Sequence, residues 1–347
     1  MAGYTGAPMP HITLARVEDL AALGGRWRSL EQAAQGGFFR SWSFLGCQAE
    51  KRFTDPFLLA VTQGGADVAL ALLNRRRGRF YVGETGDPAQ DAVFAEHGGI
   101  LVRAGAEAVL GAALSAVLAE GVVSLPGIDA MQLAVCEAAG LVHLRAQRFA
   151  PAVNLAGLDR PYLDTLSANT RSQIRRAQRL YGPEVLLGRA GTLAEAQAWF
   201  AAMTALHQQS WQRRGQKGAF ADPAIRDFHC ALIERAWPRG EVDFLRVEAG
   251  GKDIGYLYNF RHGGRVFCYQ SGFVQPASPR EKPGLVCHVL AIEFYAAAGA
   301  RVYDMLGGAS RYKTSLARDG EMLHWVTLYP KNSILGRIRA VVSRLRG

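Results

Sequence analysis

The segment from Tyr269 to Lys313 constrains the fold most, because strand and helix patterns alternate along it. Tyr269–Phe273 has the pattern of a strand, and a turn-rich loop follows it. Pro283-Gly284 then opens an Ala-rich helix pattern, which leads to a short apolar strand around Asp304. This order predicts a helix start beside the end of a strand. Because the first N–H groups of a helix and its dipole favour anions, we expect a site for a phosphorylated cofactor here.

Length and composition are typical of a globular protein with room for two domains. The chain has 347 residues, of which 49% are hydrophobic and 20% charged. Its apolar runs are shorter than the ~18–20 residues of a membrane-spanning helix, and we expect no signal peptide at the N-terminus. The five cysteines are scattered without a Cys-x-x-Cys pair. We therefore expect reduced thiols, no metal site and a cytoplasmic location.

The net charge of +10 is concentrated in two segments. Residues 166–181 carry four arginines and residues 331–347 carry five basic residues, with no acidic residue in either segment. Such concentration predicts anionic partners, namely phosphates, lipid headgroups or nucleic acid. The basic residues are not accompanied by an aromatic stacking platform of the kind that binds single strands, which argues against nucleic acid.

Each basic segment suggests its own partner. Arg171, Arg175 and Arg179 recur every four residues on one face of a predicted helix, where they suit a diphosphate lipid or a nucleotide-sugar headgroup. A solvated basic helix is the alternative. Residues 331–347 predict a basic amphipathic helix, which fits peripheral contact with an anionic membrane. Here the alternative is docking onto the protein's own surface.

The patterns divide the chain into two α/β halves with mixed, partly antiparallel sheets. We predict an N-terminal domain over residues 1–155, a second domain over residues 156–330 and the basic helix over residues 331–347. Both halves alternate strands and helices at similar intervals, which suggests a structural duplication. Gly-rich turns predict hairpins in both halves, and polar caps predict helix starts. These signals are Gly64-Gly65, Gly250-Gly251, Asp19, Thr170 with Gln173, and Asp222-Pro223.

Several short motifs of the second half follow one another in a defined order. They are Asn169-x-Arg171 with Arg179, His207-x-x-x-Trp211-x-x-Arg214-Gly215, Gly218-x-Phe220-x-Asp222-Pro223, Tyr269–Phe273, Pro283-Gly284-Leu285, Asp304–Gly307 and Tyr312-Lys313. Each motif is short, but their order is fairly specific. The second half thereby resembles the CelD-like branch of the GNAT acyltransferase superfamily. It is also similar to the Fem-type transferases, which have two GNAT-like domains in one chain.

The resemblance implies two tandem GNAT-like domains, an acyl-CoA donor and a role in exopolysaccharide or cell-envelope synthesis. Typical family members carry a basic, Gly-rich loop for the CoA pyrophosphate. In this chain the corresponding loop is degenerate, and its candidate ligands for the phosphates are Arg280, Lys282 and Gly284, followed by Leu285. Acyl-carrier protein and aminoacyl-tRNA are therefore alternative donors. The long coiled-coil insertion of some Fem-type proteins that handle tRNA is not apparent, which argues against tRNA.

Acyl transfer to an amine needs a base for the amine, donors for the oxyanion and correct alignment. Backbone N–H groups of the strand at 269–273 are candidate oxyanion donors. Strand alternation places Tyr269 and Ser271 on one face, and Tyr269 is a candidate acid for the leaving thiolate. Packing of Tyr269 in an aromatic core is the alternative.

Three further residues complete the predicted catalytic set. Asp304 can act as the base or orient the amine, or it can cap the following turn. Lys313 can neutralise a phosphate or the oxyanion, or it can lie solvated on the surface. His207 can deprotonate the acceptor, or it can be a core histidine with satisfied hydrogen bonds. Trp211, one turn from His207, and Tyr312 join Arg171 and Arg175 as candidate residues for substrate binding.

These expectations describe an N-acyltransferase that acts on an amine of a cell-envelope precursor at the inner face of the membrane. The acceptor is either an amino sugar of an exopolysaccharide or a long-chain lipid amine such as a sphingoid base. A Fem-type transfer from aminoacyl-tRNA is an alternative. A degenerate domain pair that binds a phosphorylated ligand and regulates envelope synthesis is another.

Overall fold

A computed structural model describes residues 9–344, except residues 35, 92–94 and 309. The chain packs into two compact units: unit 1 comprises residues 1–147 and 322–347, and unit 2 comprises residues 148–321. The predicted boundary after residue 155 therefore lies inside unit 2. The segment 322–330, which we assigned to the second domain, belongs to unit 1.

The described residues form strands and helices in alternation. The strands are β1 (His11–Arg16), β2 (Pro56–Gln63), β3 (Ala66–Arg76), β4 (Arg79–Val82), β5 (Leu101–Val102), β6 (Val122–Ile128), β7 (Leu141–Asn154), β8 (Val185–Arg189), β9 (Val242–Ala249), β10 (Lys252–His262), β11 (Arg265–Phe273), β12 (Val302–Asp304) and β13 (Asp319–Tyr329). The helices are α1 (Leu20–Glu31), α2 (Trp42–Arg52), α3 (Leu110–Glu120), α4 (Ala130–Ala139), α5 (Tyr162–Thr165), α6 (Ala168–Tyr181), α7 (Leu193–Gln212), α8 (Pro223–Ala236), α9 (Pro283–Ala297), α10 (Arg311–Leu316) and α11 (Ile334–Arg344). None of the described helices is both long and apolar enough to cross a bilayer.

The sheet of unit 1 has the strand order β1-β2-β3-β4-β6-β13. Strands β1 to β4 pair antiparallel with their neighbours, β4 and β6 run parallel, and β13 runs antiparallel to β6. The Gly64-Gly65 turn joins β2 and β3 as predicted, with both glycines at positive φ. Helices α1 and α2 contact β3, and α3 packs on β1, β2 and β6.

Unit 2 repeats this arrangement with a second set of elements. Its strand order is β8-β9-β10-β11-β12-β7, in which β8 to β11 are antiparallel neighbours, β11 and β12 run parallel, and β7 runs antiparallel to β12. Apart from the two-residue β5, which pairs with β3 in unit 1, both units form a strand, two helices, three strands, a helix and a strand in the same order. The suspected structural duplication is therefore confirmed at the level of topology.

The helix starts follow local hydrogen-bond chemistry. Asp19 accepts hydrogen bonds from two first-turn N–H groups of α1, and Asp222 caps α8 with Pro223 at the first position, both as predicted. The expected cap at Thr170 is wrong. Ser167 caps α6 instead, because its side chain accepts a hydrogen bond from the Thr170 N–H at 3.2 Å. The helix therefore starts three residues earlier than a capping box of Thr170 and Gln173 would place it.

The sheet of unit 2 is packed on both faces. One face carries α7 and α8 over an aromatic cluster that includes Phe244 and Tyr258, whose rings stack with centroids 4.5 Å apart. The other face carries α9 and α6 over an aliphatic cluster that includes Leu257, Val286 and Ile292, all buried. Burial of each such side chain stabilises the fold by about 1.5–3 kcal/mol. This packing fixes where β11 ends and where α9 begins.

Candidate functional site

Strand β11 contains a β-bulge in the middle of the predicted active-site strand. Tyr258 of β10 pairs with Gln270, whereas the next residue of β10, Asn259, pairs with Cys268. Tyr269 is therefore an extra residue in β11, without a paired residue of its own in β10. A bulge interrupts the regular ladder and re-aims side chains, and it is a common feature beside active sites.

The bulge overturns the prediction that Tyr269 and Ser271 share a face. Tyr269 lies on the α7–α8 face, where its ring packs against His229 with centroids 5.1 Å apart. Ser271 pairs with Leu257, which belongs to the cluster on the α9 face. Alternation fails because one extra residue in β11 reverses the sides of all residues that follow it.

Tyr269 has a core environment. It is buried, and its hydroxyl lies 3.2 Å from Nε2 of His229. Its ring also contacts the rings of Tyr258 and Phe260. Tyr269 does not line either of the two cavities described below. The structure thus places it with the aromatic core, which was the alternative interpretation of this residue.

Beyond the bulge, the end of β11 forms one wall of a cleft of about 360 Å³. The opposite walls come from the last turns of α7 and the first turn of α9, and Tyr312 of α10 closes one side. The cleft is lined by His207, Ser210, Trp211, Arg214, Gln270, Ser271, Gly272, Phe273, Gly284, Leu285 and Tyr312. It brings together four of the residues predicted for catalysis or substrate binding, namely His207, Ser271, Trp211 and Tyr312, and two of those predicted for the cofactor, on four separate elements.

A second cavity, of about 610 Å³, adjoins the cleft and shares Gly284, Leu285 and Tyr312 with it. Its other walls are α6, the residue before α9, and α10. The residues specific to this cavity are Asn169, Thr170, Gln173, Lys282, Arg311 and Ser315. Two cationic side chains, several amide and hydroxyl groups and the start of α9 therefore surround one space. Such a set suits an anionic ligand.

The start of α9 has a backbone geometry that suits close approach. Lys282 adopts the left-handed conformation with φ 44° directly before Pro283, which is the first residue of the helix. A Cβ atom on Gly284 would lie 3.2 Å from the Phe273 ring, so glycine allows the helix start to pack tightly on the end of β11. Arg280 lies outside this arrangement: it is exposed and lines neither cavity.

His207 is held by the aromatic side chain one turn further along α7. The Trp211 indole N–H donates to His207 Nε2 at 2.9 Å, while Nδ1 lies 3.3 Å from Gln208 Oε1. Nε2 therefore carries the lone pair and Nδ1 the proton. Burial lowers the pKa of His207, and the nearby Arg214 charge lowers it further. The imidazole is thus neutral near pH 7, with its lone pair already engaged.

Asp304 and Lys313 hold the same turn. Asp304 is fully buried, and its Oδ1 accepts from the Leu306 N–H at 2.7 Å. Lys313 Nζ donates to the carbonyl oxygens of Leu306 and Gly307, at 3.1 Å each. Leu306 has φ 59°, a conformation that is strained for a bulky residue and costs about 1–3 kcal/mol.

These contacts give Asp304 and Lys313 a positioning role in the structure. The turn they hold leads directly into α10, which carries Tyr312. Neither Asp304 nor Lys313 lines the cleft or the adjoining cavity. Of the alternatives weighed for Asp304, the turn contact is the one that the geometry shows. Lys313 is half-buried rather than a solvated surface residue.

The first two arginines of the basic helix α6 that were predicted to bind substrate contact neighbouring residues of the chain instead. Arg171 donates to the carbonyl oxygens of Asp164 and Leu166, at 3.2 and 3.1 Å. Arg175 forms an ion pair with the Asp164 carboxylate at 3.1 Å. Both arginines therefore fasten α6 to the end of α5, and neither lines a described cavity. The residues of α6 that do face the second cavity are uncharged; sequence reasoning placed them in a motif and in a helix cap, and did not select them as site residues.

Tyr312 is the predicted residue whose surroundings are most informative. Its ring stacks on the buried His288 of α9, with centroids 5.4 Å apart and an interplanar angle of 21°. Burial, together with the smaller effect of the Lys313 charge, lowers the pKa of His288 to about 3, so the stacking partner is neutral. Tyr312 is 39% exposed, and a phenol carries its proton near neutral pH. A protonated phenol therefore stands where the two cavities meet.

The sequence that forms this site matches a known family profile. Residues 166–314 match the family profile described as "Acetyltransferase (GNAT) domain". This segment contains the bulged strand, α9, Asp304 and Tyr312. This match to a GNAT acetyltransferase domain agrees with the resemblance seen in the sequence. No curated protein sequence matches the chain.

Solved structures extend the likeness to nearly the whole chain. The structure titled FemX has a TM-score of 0.61 at 10% identity and covers 94% of this chain and 100% of its own. The C-terminal domain of a putative lysylphosphatidylglycerol synthetase from Agrobacterium fabrum has a TM-score of 0.56 at 10% identity, covering 94% and 96%. A tandem GNAT protein from the clavulanic acid biosynthesis pathway has a TM-score of 0.50 at 13% identity, covering 93% and 100%.

At these identities the likeness concerns the fold alone. The mixed α/β fold and the tandem GNAT arrangement predicted from the sequence are confirmed. The chain therefore has the fold of a GNAT-type acyltransferase.

Proposed function

We propose that this protein is an N-acyltransferase that moves an acyl group from acyl-CoA to the amine of a cell-envelope precursor. One observation carries the proposal: a cation-lined cavity and a cleft at a bulged strand meet at Gly284, Leu285 and Tyr312. A donor with an anionic body and a reactive thioester end needs two such spaces side by side. The family of residues 166–314 supports the same reaction class.

The donor's phosphates would lie in the cavity that holds Lys282 and Arg311. Both side chains offer charged donors, and the first N–H groups of α9 add a positive partial charge. The thioester end would then enter the cleft, beside the backbone of residues 270–273. N–H groups near an irregular strand segment are suitable donors for the carbonyl oxygen as it gains negative charge.

The reaction requires two proton movements. The amine nitrogen attacks the thioester carbonyl carbon, the C–S bond breaks, the amine loses a proton and the thiolate gains one. The Tyr312 phenol carries its proton at neutral pH, as an ordinary phenol does, and it lies between the two cavities. We therefore assign it the role of acid toward the leaving thiolate, which the sequence prediction gave to Tyr269.

His207 remains the candidate base, under a condition set by its hydrogen bonds. Its lowered pKa keeps the imidazole unprotonated near neutral pH. Its Nε2 lone pair accepts the Trp211 N–H, so it can take the amine proton only when that hydrogen bond is broken or shared. Ser271 lies in the same cleft and can orient the amine.

Native mass spectrometry with acetyl-, medium-chain and palmitoyl-CoA tests the donor. We expect binding of a CoA ester that is lost in Lys282→Ala plus Arg311→Ala, because both cations line the cavity. Arg280→Ala is the matched control, since Arg280 is a nearby exposed cation outside the cavity. A preference for long chains would favour lipid amines, and a preference for acetyl would favour amino sugars. Absence of binding to every CoA ester would refute acyl-CoA as donor.

Aminoacyl transfer is a second candidate, favoured by one comparison. The neighbour from Agrobacterium fabrum is named as a putative lysylphosphatidylglycerol synthetase, a name that describes joining an amino acid to a lipid headgroup. A ribonuclease-sensitive transfer of amino acid from charged tRNA would support this candidate. Thiol release from acyl-CoA that is insensitive to ribonuclease would support the first. If neither reaction is detected with a broad panel of amines, a ligand-binding regulator is favoured.

A further inference from the structure

The C-terminal helix α11 displays a row of large apolar side chains to solvent. Ile334 is 76% exposed, Ile338 58% and Val341 55%, and Leu335 beside them is 47% exposed. Among the described residues, few large hydrophobic side chains reach such exposure. A contiguous exposed apolar row of this kind marks an interaction surface.

The orientation of α11 shows that this row points away from unit 1. Gly336 is buried, and a Cβ atom there would lie 2.6 Å from the Tyr329 Cβ at the end of β13. At about 100° per residue, Ile334 and Ile338 lie roughly 160° around the helix from Gly336, and Val341 roughly 140°. The helix therefore rests on its glycine side. For Ile334, Ile338 and Val341, docking onto the protein's own surface, the alternative weighed from the sequence, is not what the structure shows.

The charged residues of α11 and its flanking segments all have the same sign. Lys331 and Arg337 are exposed beside it, and residues 331–347 contain no acidic residue. An apolar row flanked by cations fits a surface that offers anionic headgroups above a hydrocarbon layer. With 11 residues the helix is about 16 Å long, far short of the ~30 Å hydrocarbon core, so it would lie in the interface.

We propose that α11 binds the surface of a membrane that contains anionic lipid, with Ile334, Ile338 and Val341 inserted between headgroups and Lys331 and Arg337 paired with phosphates. The inference stands on helix orientation and charge, and it is independent of the acyl-transfer reaction. Membrane binding through α11 would hold the protein, including the proposed site in unit 2, at the surface where lipid-linked acceptors lie.

Flotation of the full-length chain with vesicles tests the proposal. We expect binding to phosphatidylcholine vesicles that contain phosphatidylglycerol, weak binding to pure phosphatidylcholine, and weaker binding at high salt. Ile334→Asn plus Ile338→Asn should reduce the partition coefficient by roughly 100-fold, because two inserted side chains are lost. Lys331→Gln plus Arg337→Gln should reduce it by roughly tenfold or more on anionic vesicles.

Leu186→Asn is the matched control, because Leu186 is 58% exposed on β8 of unit 2, as Ile338 is on α11. It should leave vesicle binding unchanged. All variants replace exposed side chains, so unchanged elution volume and unfolding midpoint will show that they fold. Equal vesicle binding by parent and Asn variants would overturn the proposal. So would a concentration-dependent dimer that the Asn variants abolish without vesicle binding, since a second copy would then occupy the row.

Discussion

Tyr312 lines both cavities of unit 2, and the proposed role of its phenol as an acid can be tested by removing the hydroxyl. Tyr312→Phe keeps the ring that stacks on His288 but removes the proposed acid. We expect kcat to fall by roughly 10²–10⁴-fold with little change in KM. The measurement is thiol release from the CoA ester that binds, with an amine acceptor.

Tyr269→Phe is the matched control for that substitution. It removes the hydroxyl that lies 3.2 Å from His229 in the aromatic core, and it should leave kcat within a few-fold of the parent. A loss of activity confined to Tyr269→Phe, with Tyr312→Phe active, would return the acid role to Tyr269.

His288 makes the stability of unit 2 depend on pH. Its folded-state pKa is about 3, against about 6.5 for an unfolded histidine, so the unfolded state binds a proton that the folded state excludes. Stability is therefore complete above about pH 6.5 and falls as the pH is lowered toward 3. We expect the free energy of unfolding to drop by about 2 kcal/mol between pH 7.5 and pH 5 from this group.

Urea unfolding of the parent and of His288→Asn at these two pH values measures the effect. The variant should lose much of the drop between them, whatever its stability at pH 7.5. His11→Asn, on the exposed start of β1, is the control and should keep the full drop. An identical drop in parent and His288→Asn would show that His288 does not cause the pH dependence.

At the scale of elements, the contact between β11 and α7 depends on a glycine. A Cβ atom on Gly272 would lie 2.3 Å from the Met203 carbonyl oxygen and 3.0 Å from the Leu206 Cβ. Because the closest atom belongs to the backbone, the strand or the helix must move. We expect Gly272→Ala to destabilise the fold by about 1–3 kcal/mol and to weaken ligand binding in the cleft.

Urea unfolding again provides the measurement, with Gly188→Ala in β8 as the control. Its nearest neighbour would be the Trp199 ring at 3.6 Å, which is ordinary contact. The control should change the free energy of unfolding by less than about 1 kcal/mol. A similar small effect for Gly272→Ala would mean that β11 and α7 are not in fixed contact.

Sequence patterns predicted most elements because each pattern reports a local cause. Alternation, Gly-Gly turns and the caps at Asp19 and Asp222 depend on neighbours within a few residues, and the structure confirms them. The bulge at 269–270 could not be predicted, since it depends on pairing with β10. One extra residue was enough to misplace Ser271 relative to Tyr269.

The candidate site shows the same limit. Asp304, Lys313 and Arg171 were selected as polar residues in suggestive positions. Each contacts backbone carbonyl or N–H groups that only the folded turns supply, and Asp304 also lies 3.7 Å from the Arg265 guanidinium. Arg311 lines the second cavity but carries no pattern that separates it from other surface residues, and Gln173, which also lines it, was noted only as part of a helix-cap pattern. The resemblance located the site at the start of α9, and packing decided which side chains reach it.

At the scale of the whole molecule, unit 1 is completed by β13, a strand from a distant part of the chain. Val326 and Leu328 of β13 are buried in the core of unit 1. A chain that ends after Glu321 loses this strand but keeps all of unit 2. We expect proteases to cleave it within residues 10–147 while residues 148–321 resist, since the edge of β6 and its core are then uncovered.

Limited proteolysis with mass mapping of the fragments provides the test. A chain that ends after Pro330 keeps β13 and lacks only α11, and it should resist proteolysis as the parent does. Cleavage of both truncated chains at the same sites would mean that α11, rather than β13, protects unit 1. Resistance of both would mean that β13 is dispensable for its fold.

The placement of β13 also sets the order in which the protein can form during translation. Residues 148–321 are contiguous, so unit 2 has its full sequence soon after it emerges. Unit 1 starts first, but β6 must wait for β13 for roughly 10–40 s at ~5–20 residues per second. The part of the protein that is synthesised first is therefore the last to be finished, and its open edge during that interval is where a chaperone would have most to protect.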